Sequence, residues 1–178
     1  MKKVVIVLTI LLMFPAGMIF AYGGGGTFVG EYIDGFSWDT SEIGFSGVRY
    51  RGGYGYGVTD AGHRVGGFAL GLHDYTENRK LGGFGGIITG QQLRLGFLTG
   101  SINLWLGVGG LSSRESEAIY LAYFGEGTFE LGIKIFSWLQ FSGFAGWQVL
   151  GNLFNFEPCN PADPFQPVAG FRVTWGKF

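Results

Sequence analysis

Long hydrophobic runs, proline and excess positive charge are all scarce in this chain. Beyond residue 21 there is no run of 18 uninterrupted apolar residues, which excludes a membrane protein built from helices. The 12 basic residues are outnumbered by 13 acidic ones, so nothing points to a nucleic-acid partner. After residue 21, proline occurs only between 158 and 167, which leaves the preceding chain free to form uninterrupted β-ladders.

Residues 1–21 have the pattern of a cleaved secretory signal peptide. A basic start precedes the apolar run Val4–Phe14, and Ala21 is the small residue expected at the cleavage point. The alternative is an N-terminal membrane anchor, against which Pro15 and Gly17 argue because both disfavour a continuous helix. No cysteine follows the run, which excludes a bacterial lipoprotein. Cleavage would leave 10 basic and 13 acidic residues, a net charge of −3, in a single domain of residues 22–178.

Residues suited to catalysis or metal binding are few. Cys159 is the single cysteine and has no neighbouring base to activate it, so we interpret it as a free or intermolecular thiol. His63 and His73, the two histidines, are roughly 33 Å apart on an extended strand and cannot share a site. The carboxylates near Trp38 match no known calcium-loop spacing. We therefore predict no catalytic residues, no cofactor and no metal.

Glycine is abundant, at 35 of 178 residues against a usual share of about 7%. The glycines alternate with aromatic and aliphatic residues, which is typical of strands with small residues on one face. Gln91–Gly110 shows this alternation most clearly, and we predict a two-residue turn at Gly100-Ser101. That hairpin has one apolar face, suited to a soluble core or to lipid, formed by Leu93, Leu95, Phe97, Leu104, Leu106 and Val108.

The rest of the chain divides into further strands. The predicted strands are Thr27–Phe36, Val48–Val58, Gly67–His73, Leu81–Leu98, Ala118–Phe124, Thr128–Ile135, Gln140–Leu150 and Val168–Phe178. Leu81–Leu98 is either one strand or two strands joined by a turn at Thr89-Gly90-Gln91. Gly125-Glu126-Gly127 is predicted to be a hairpin connection. We therefore expect an all-β chain of eight to ten strands.

Charges on the strands collect on the faces opposite the apolar ones. On Val48–Val58, for example, two arginines and three glycines share one face, and tyrosines and valines share the other. In a closed barrel the charged faces would point inward and fill a narrow lumen. The predicted lumen network consists of Arg49, Arg51, Arg94, Glu130, Lys134 and Arg172. We interpret it as core filler rather than as a selectivity filter.

The last strand alternates Ala169, Phe171, Val173 and Trp175 with small or polar residues and is followed by Phe178. In this ending, and in its signal peptide, the sequence resembles small bacterial outer-membrane β-barrel proteins. The resemblance implies a small up-and-down antiparallel transmembrane β-barrel in the bacterial outer membrane, with membrane lipids and the outer-membrane assembly machinery as partners. Phe178 departs from the pattern, because it is out of phase with the alternation.

The leading functional hypothesis is a non-enzymatic barrel with a structural or surface-interaction role, in which the acidic and proline-rich loops contact a surface partner. A narrow channel for small solutes is the first alternative. A lipid-modifying enzyme is the second, with His73 beside Asp74 as its base and Ser37 or Ser41 as its nucleophile. The third alternative is a secreted, soluble β-sandwich.

Overall fold

The computed structural model of this chain describes residues 22–32, 48–74, 79–112, 119–154 and 164–177. These residues form eight antiparallel strands in which each strand pairs with the next, and β8 pairs with β1 to close a barrel. The strands are β1 (Tyr22–Tyr32), β2 (Val48–Val58), β3 (His63–Asp74), β4 (Arg79–Leu95), β5 (Leu98–Ser112), β6 (Ile119–Phe136), β7 (Leu139–Asn152) and β8 (Gln166–Lys177). The prediction of a closed up-and-down barrel is confirmed, with eight strands rather than ten. The alternative prediction of a β-sandwich is wrong.

Some of the sequence predictions concern segments that the structure does not describe. The signal peptide at 1–21, the acidic loop with Ser37 and Ser41, Cys159 and Phe178 lie outside the described residues. Within the described part of the chain, no helix has the length and apolar character needed to cross a bilayer.

Three tight connections lie at one end of the barrel, which we call the turn end. Residues 59–62 join β2 to β3, Gly96-Phe97 joins β4 to β5, and Ser137-Trp138 joins β6 to β7. Gly96 has a φ of 65°, which glycine adopts without steric cost and which suits the first position of a two-residue hairpin turn. β1 begins and β8 ends beside these turns. The opposite end, where β1, β3, β5 and β7 end, is the loop end.

Two predicted turns are wrong in position. The β4–β5 turn is at Gly96-Phe97 rather than Gly100-Ser101, so Leu95 pairs with Leu98 and Leu93 pairs with Gly100. The displacement is an even number of residues, and for that reason the predicted faces survive it.

The second misplaced turn is Gly125-Glu126-Gly127, which lies inside β6. Gly125 pairs there with Val149 and Gly127 pairs with Trp147, so the ladder continues where a hairpin was predicted. Similarly, β4 is continuous through residues 89–91. The glycines at these positions favour a turn locally, but they lie inside strands because the tilted strands of a closed barrel are long.

The wall has two sectors that distribute their side chains in opposite ways. In the glycine sector, β2 and β3, large side chains such as Tyr54 and Phe68 point inward, and Gly55 and Gly67 are on the outer surface. In the aliphatic sector, β5 to β8, the outer surface carries large apolar side chains, and the inner face carries polar ones together with apolar ones such as Trp105 and Phe124. β1 and β4 form the borders between the sectors. The inward direction predicted for Arg49 and Arg51 is therefore wrong.

The narrow lumen explains why the glycine sector is inverted. An eight-stranded barrel has an interior just wide enough for side chains to fill, and the large rings of β2 and β3 supply much of that volume. Inward glycines on neighbouring strands make room for these rings. The Tyr50 ring occupies the space where a Cβ on Gly30 would lie, and the Phe68 ring approaches Gly107 in the same way.

Candidate functional site

A hydrogen-bonded cluster centred on Glu130 lies inside the barrel, in the half nearer the turn end. Glu130 Oε2 accepts hydrogen bonds from Arg64 Nη1 at 2.9 Å and from Arg172 Nη1 at 2.6 Å. Asn103 Nδ2 donates to the same oxygen at 3.2 Å, and Ser142 Oγ donates to Oε1 at 2.7 Å. These side chains, the Glu130 cluster, belong to β3, β5, β6, β7 and β8. One carboxylate therefore connects five of the eight strands.

The charges of the Glu130 cluster are removed from water. Arg64 and Glu130 are each 2% exposed, and Arg172 is 1% exposed. The Arg64 guanidinium lies over the Tyr56 ring, 3.6 Å from its centre. A cation over an aromatic face is attracted by the negative face of the ring, so Tyr56, on the neighbouring strand β2, stabilises the cluster.

Arg172 links the cluster to a second buried carboxylate. Its guanidinium is 4.0 Å from the centre of the Phe144 ring and 4.4 Å from that of Trp105. Its Nη2 is 3.5 Å from Glu126 Oε1. Each of the two buried arginines is therefore paired with a carboxylate, which matters because a buried charge left unpaired is strongly destabilising.

Toward the loop end, apolar side chains close the lumen. The rings of Phe84 and Phe124 are 5.6 Å apart, and Phe68 lies 5.4 Å from Phe124. The other apolar side chains of this apolar plug are Leu70, Leu72, Leu111, Ala122, Leu150 and Val168, each at most 6% exposed. The lumen therefore contains an ion-pair cluster toward the turn end and a hydrophobic plug toward the loop end.

One polar layer between these two regions is incompletely paired. Trp105, Glu126 and Gln148 are successive cross-strand neighbours, and all three point inward. Within the described residues, Trp105 Nε1, Glu126 Oε2 and both amide atoms of Gln148 have no hydrogen-bond partner. Buried polar groups ordinarily bond to protein or to ordered water, so this layer is the part of the lumen best suited to hold water.

The structure brings together only part of the predicted lumen network. Glu130 and Arg172 are directly bonded. Arg94 and Lys134 are half-buried at inward positions near the turn end, where the Arg94 guanidinium lies 4.2 Å from the centre of the Tyr22 ring. No ion pair joins either of them to Glu130 among the described contacts.

Arg49 and Arg51, the other two members of the predicted network, are exposed on the outer surface. Arg49 Nε donates to Glu31 Oε1 at 3.0 Å, and both side chains of this pair are about half exposed. The reason is the inverted direction of β2, which places the even-numbered tyrosines in the lumen and the odd-numbered arginines outside.

Sequence reasoning missed two charged residues of the lumen. Arg64 precedes the predicted strand Gly67–His73, although it is in phase with Phe68, Leu70 and Leu72. A charge on that otherwise apolar face was the available signal that the face points inward. Glu126 was assigned to a turn, although it continues the alternation of β6.

The six residues predicted to face lipid all lie on the outer surface. Each is between 44% and 66% exposed: Leu93, Leu95, Phe97, Leu104, Leu106 and Val108. Phe97 belongs to the turn rather than to a strand, and Leu95 lies next to it, at the turn end rather than near mid-strand. Their contact with lipid stays a prediction.

His63 and His73 lie at opposite ends of β3, as the sequence spacing indicated. His63 is exposed at the turn end, and His73 is half-buried near the loop end. Across the ranges that the structure describes, no group of three or more histidine, cysteine or acidic side chains is arranged to hold a metal ion.

Comparison of this chain with protein-family models, with curated proteins and with solved structures gave no match. The geometry of the described residues defines the class: a small eight-stranded, antiparallel, up-and-down β-barrel with a filled lumen.

Proposed function

We propose that this protein is a bacterial outer-membrane barrel with a structural or surface-interaction role, exported by a cleaved signal peptide. The observation that carries the proposal is the outer surface of the aliphatic sector. Leu104 and Leu106 of β5, Phe129 and Leu131 of β6 and Phe171 of β8 are all between 44% and 77% exposed there. A contiguous apolar surface of this kind is unfavourable in water and suited to the hydrocarbon of a bilayer.

Aromatic side chains at both ends of the barrel support the same proposal. Exposed aromatic residues at the turn end are Phe97, Phe136, Trp138 and Trp175, and those toward the loop end are Tyr120, Trp147, Phe154 and Phe165. Outer-membrane barrels carry two such girdles, one at each interface between hydrocarbon and water. Strands of 11 to 18 residues also reach or exceed the roughly 9 to 11 residues that a tilted spanning strand needs.

The filled lumen favours a structural role over transport. The Glu130 cluster and the apolar plug occupy the interior at different heights, and both consist of side chains that are almost completely buried. The connections at the loop end would then be the surface that meets a partner outside the cell, and the assembly machinery would insert the barrel.

Membrane fractionation tests this proposal. The mature protein is expected in the outer-membrane fraction, resistant to extraction by alkaline carbonate and dependent on detergent for release. Recovery in the soluble periplasmic fraction without detergent would contradict it.

A narrow channel is the second candidate, and the incompletely paired layer of Trp105, Glu126 and Gln148 favours it. That layer could hold water, but the apolar plug lies between it and the loop end. Planar-bilayer recordings of the purified protein separate the two candidates. Silent membranes support the filled barrel, and reproducible single-channel steps that vanish in a preparation lacking the protein support the channel.

A further inference from the structure

An apolar groove of about 660 Å³ crosses the outer surface of β7 and β8. Its floor is made of small residues, Gly143 and Ala145 of β7 and Ala169 of β8. Ala145 of β7, Ala169 of β8 and Glu31 of β1 are successive cross-strand neighbours, so small residues lead across the sheet to β1, and Phe171 of β8 forms a wall on the turn-end side. We call this the β7–β8 groove.

The groove ends at charged side chains on β1 and β2. Glu31 of β1 lines it, and Arg49 of β2 donates to Glu31 at 3.0 Å. Val29, which also lines the groove, pairs directly with Arg51, and Arg51 is exposed on the same outer face. Two arginines and one glutamate leave an excess of one positive charge at this mouth of an otherwise apolar groove.

We propose that the β7–β8 groove binds one membrane lipid, with an acyl chain over Ala145 and Ala169 and a phosphate headgroup at Arg51. The inference rests on the proposed function, because the lipid reaches the groove from a bilayer. The charges are complementary, since a guanidinium is well suited to phosphate oxygens and the net positive charge matches an anionic headgroup. An extended peptide fits less well, because every strand of the closed barrel already pairs on both sides and leaves no edge to extend.

Native mass spectrometry of the detergent-purified full-length mature protein tests the headgroup. The probes are phosphatidylglycerol and an uncharged glucosyl diacylglycerol with the same acyl chains. Wild-type protein is expected to retain phosphatidylglycerol in preference to the glycolipid, and Arg51→Gln to lower that preference about fivefold. Lys177→Gln is the matched control, because Lys177 is an exposed lysine at the turn end, outside the groove lining. Equal preferences in the two variants would overturn the proposal.

A second pair of variants tests the groove itself. Ala145→Phe fills the floor and is expected to lower retention of both lipids several-fold. Ala69→Phe adds the same ring at an exposed position of β3, outside the groove, and should leave retention unchanged. Equal retention by these two variants would also overturn the proposal. Failure of the outer-membrane assignment would appear separately, as loss of carbonate resistance in the wild-type protein.

Discussion

The glycine sector and the aliphatic sector contain the same kind of alternation and use it in opposite directions. β2 places Tyr54 and Tyr56 inside and Gly55 outside, whereas β5 places Thr99, Ser101 and Asn103 inside and Leu104 and Leu106 outside. The two inner faces are complementary: Arg64 of the glycine sector pairs with Glu130 of the aliphatic sector, and the Tyr54 hydroxyl is hydrogen-bonded to that of Thr174. In so narrow a barrel, the fit across the lumen decides which face points inward, and the apolar character of a strand taken alone does not.

Removal of the Glu130 carboxylate is expected to have the largest effect on this arrangement. Glu130→Ala leaves the buried Arg64 and Arg172 without their shared acceptor, and loss of one partner of a buried ion pair costs about 3–5 kcal/mol in the free energy of unfolding. Urea unfolding in detergent micelles, followed by tryptophan fluorescence, measures it.

The matched control is Glu31→Ala, which breaks the exposed pair with Arg49. That change is expected to cost about 1 kcal/mol or less, because solvent screens the exposed pair. Similar losses for the two variants would mean that the Glu130 cluster does not hold the two sectors together.

Introduction of an arginine on the outer surface of the aliphatic sector tests whether that surface contacts lipid or water. Leu104→Arg lies near the middle of β5 and is expected to cost about 2–4 kcal/mol if the surface meets the bilayer midplane. Leu95→Arg lies beside the turn and is expected to cost about 0–1 kcal/mol, because the penalty falls toward the interface. Unfolding equilibria in lipid vesicles measure the loss in free energy of unfolding for both variants. Equal, small costs would indicate water at both positions.

Replacement of either of two glycines of β2 with alanine tests which face of that strand points inward. Gly52 points inward, and a Cβ there would overlap the Ala69 carbonyl and Leu70, so Gly52→Ala is expected to cost about 1–3 kcal/mol. Gly55 points outward with open space around its Cβ position, so Gly55→Ala is expected to be neutral or stabilising by about 0.5–1 kcal/mol. The reverse order of stability would mean that β2 faces the other way.

The sequence was sufficient for the barrel and for the faces of the aliphatic sector. Strict alternation makes the faces of β5 and β8 insensitive to a turn displaced by an even number of residues, so Leu104 and Arg172 were placed correctly even though the β4–β5 turn was not. The stretch 136–139, left between the predicted strands Thr128–Ile135 and Gln140–Leu150, does contain the β6–β7 turn.

The sequence of β2 alone does not show which of its two faces points into the lumen. Glycines and two arginines on one face and tyrosines on the other suit either direction, and the choice depends on what lies across the lumen. That information is long-range: the hydroxyls of Tyr54 and Thr174, 120 residues apart, are hydrogen-bonded. Arg64, in phase with Phe68, was the one local sign of the correct direction.

Cysteine accessibility at two neighbouring mid-strand positions of β3 tests the inverted sector most directly. In a Cys159→Ser background, Ala69→Cys is expected to react in native membranes with a bilayer-soluble thiol reagent and to be protected from a charged, water-soluble one. Leu70→Cys, at a position 6% exposed inside the lumen, is expected to react with neither until the barrel is unfolded. Labelling at position 70 by the bilayer-soluble reagent, with protection at position 69, would contradict the account.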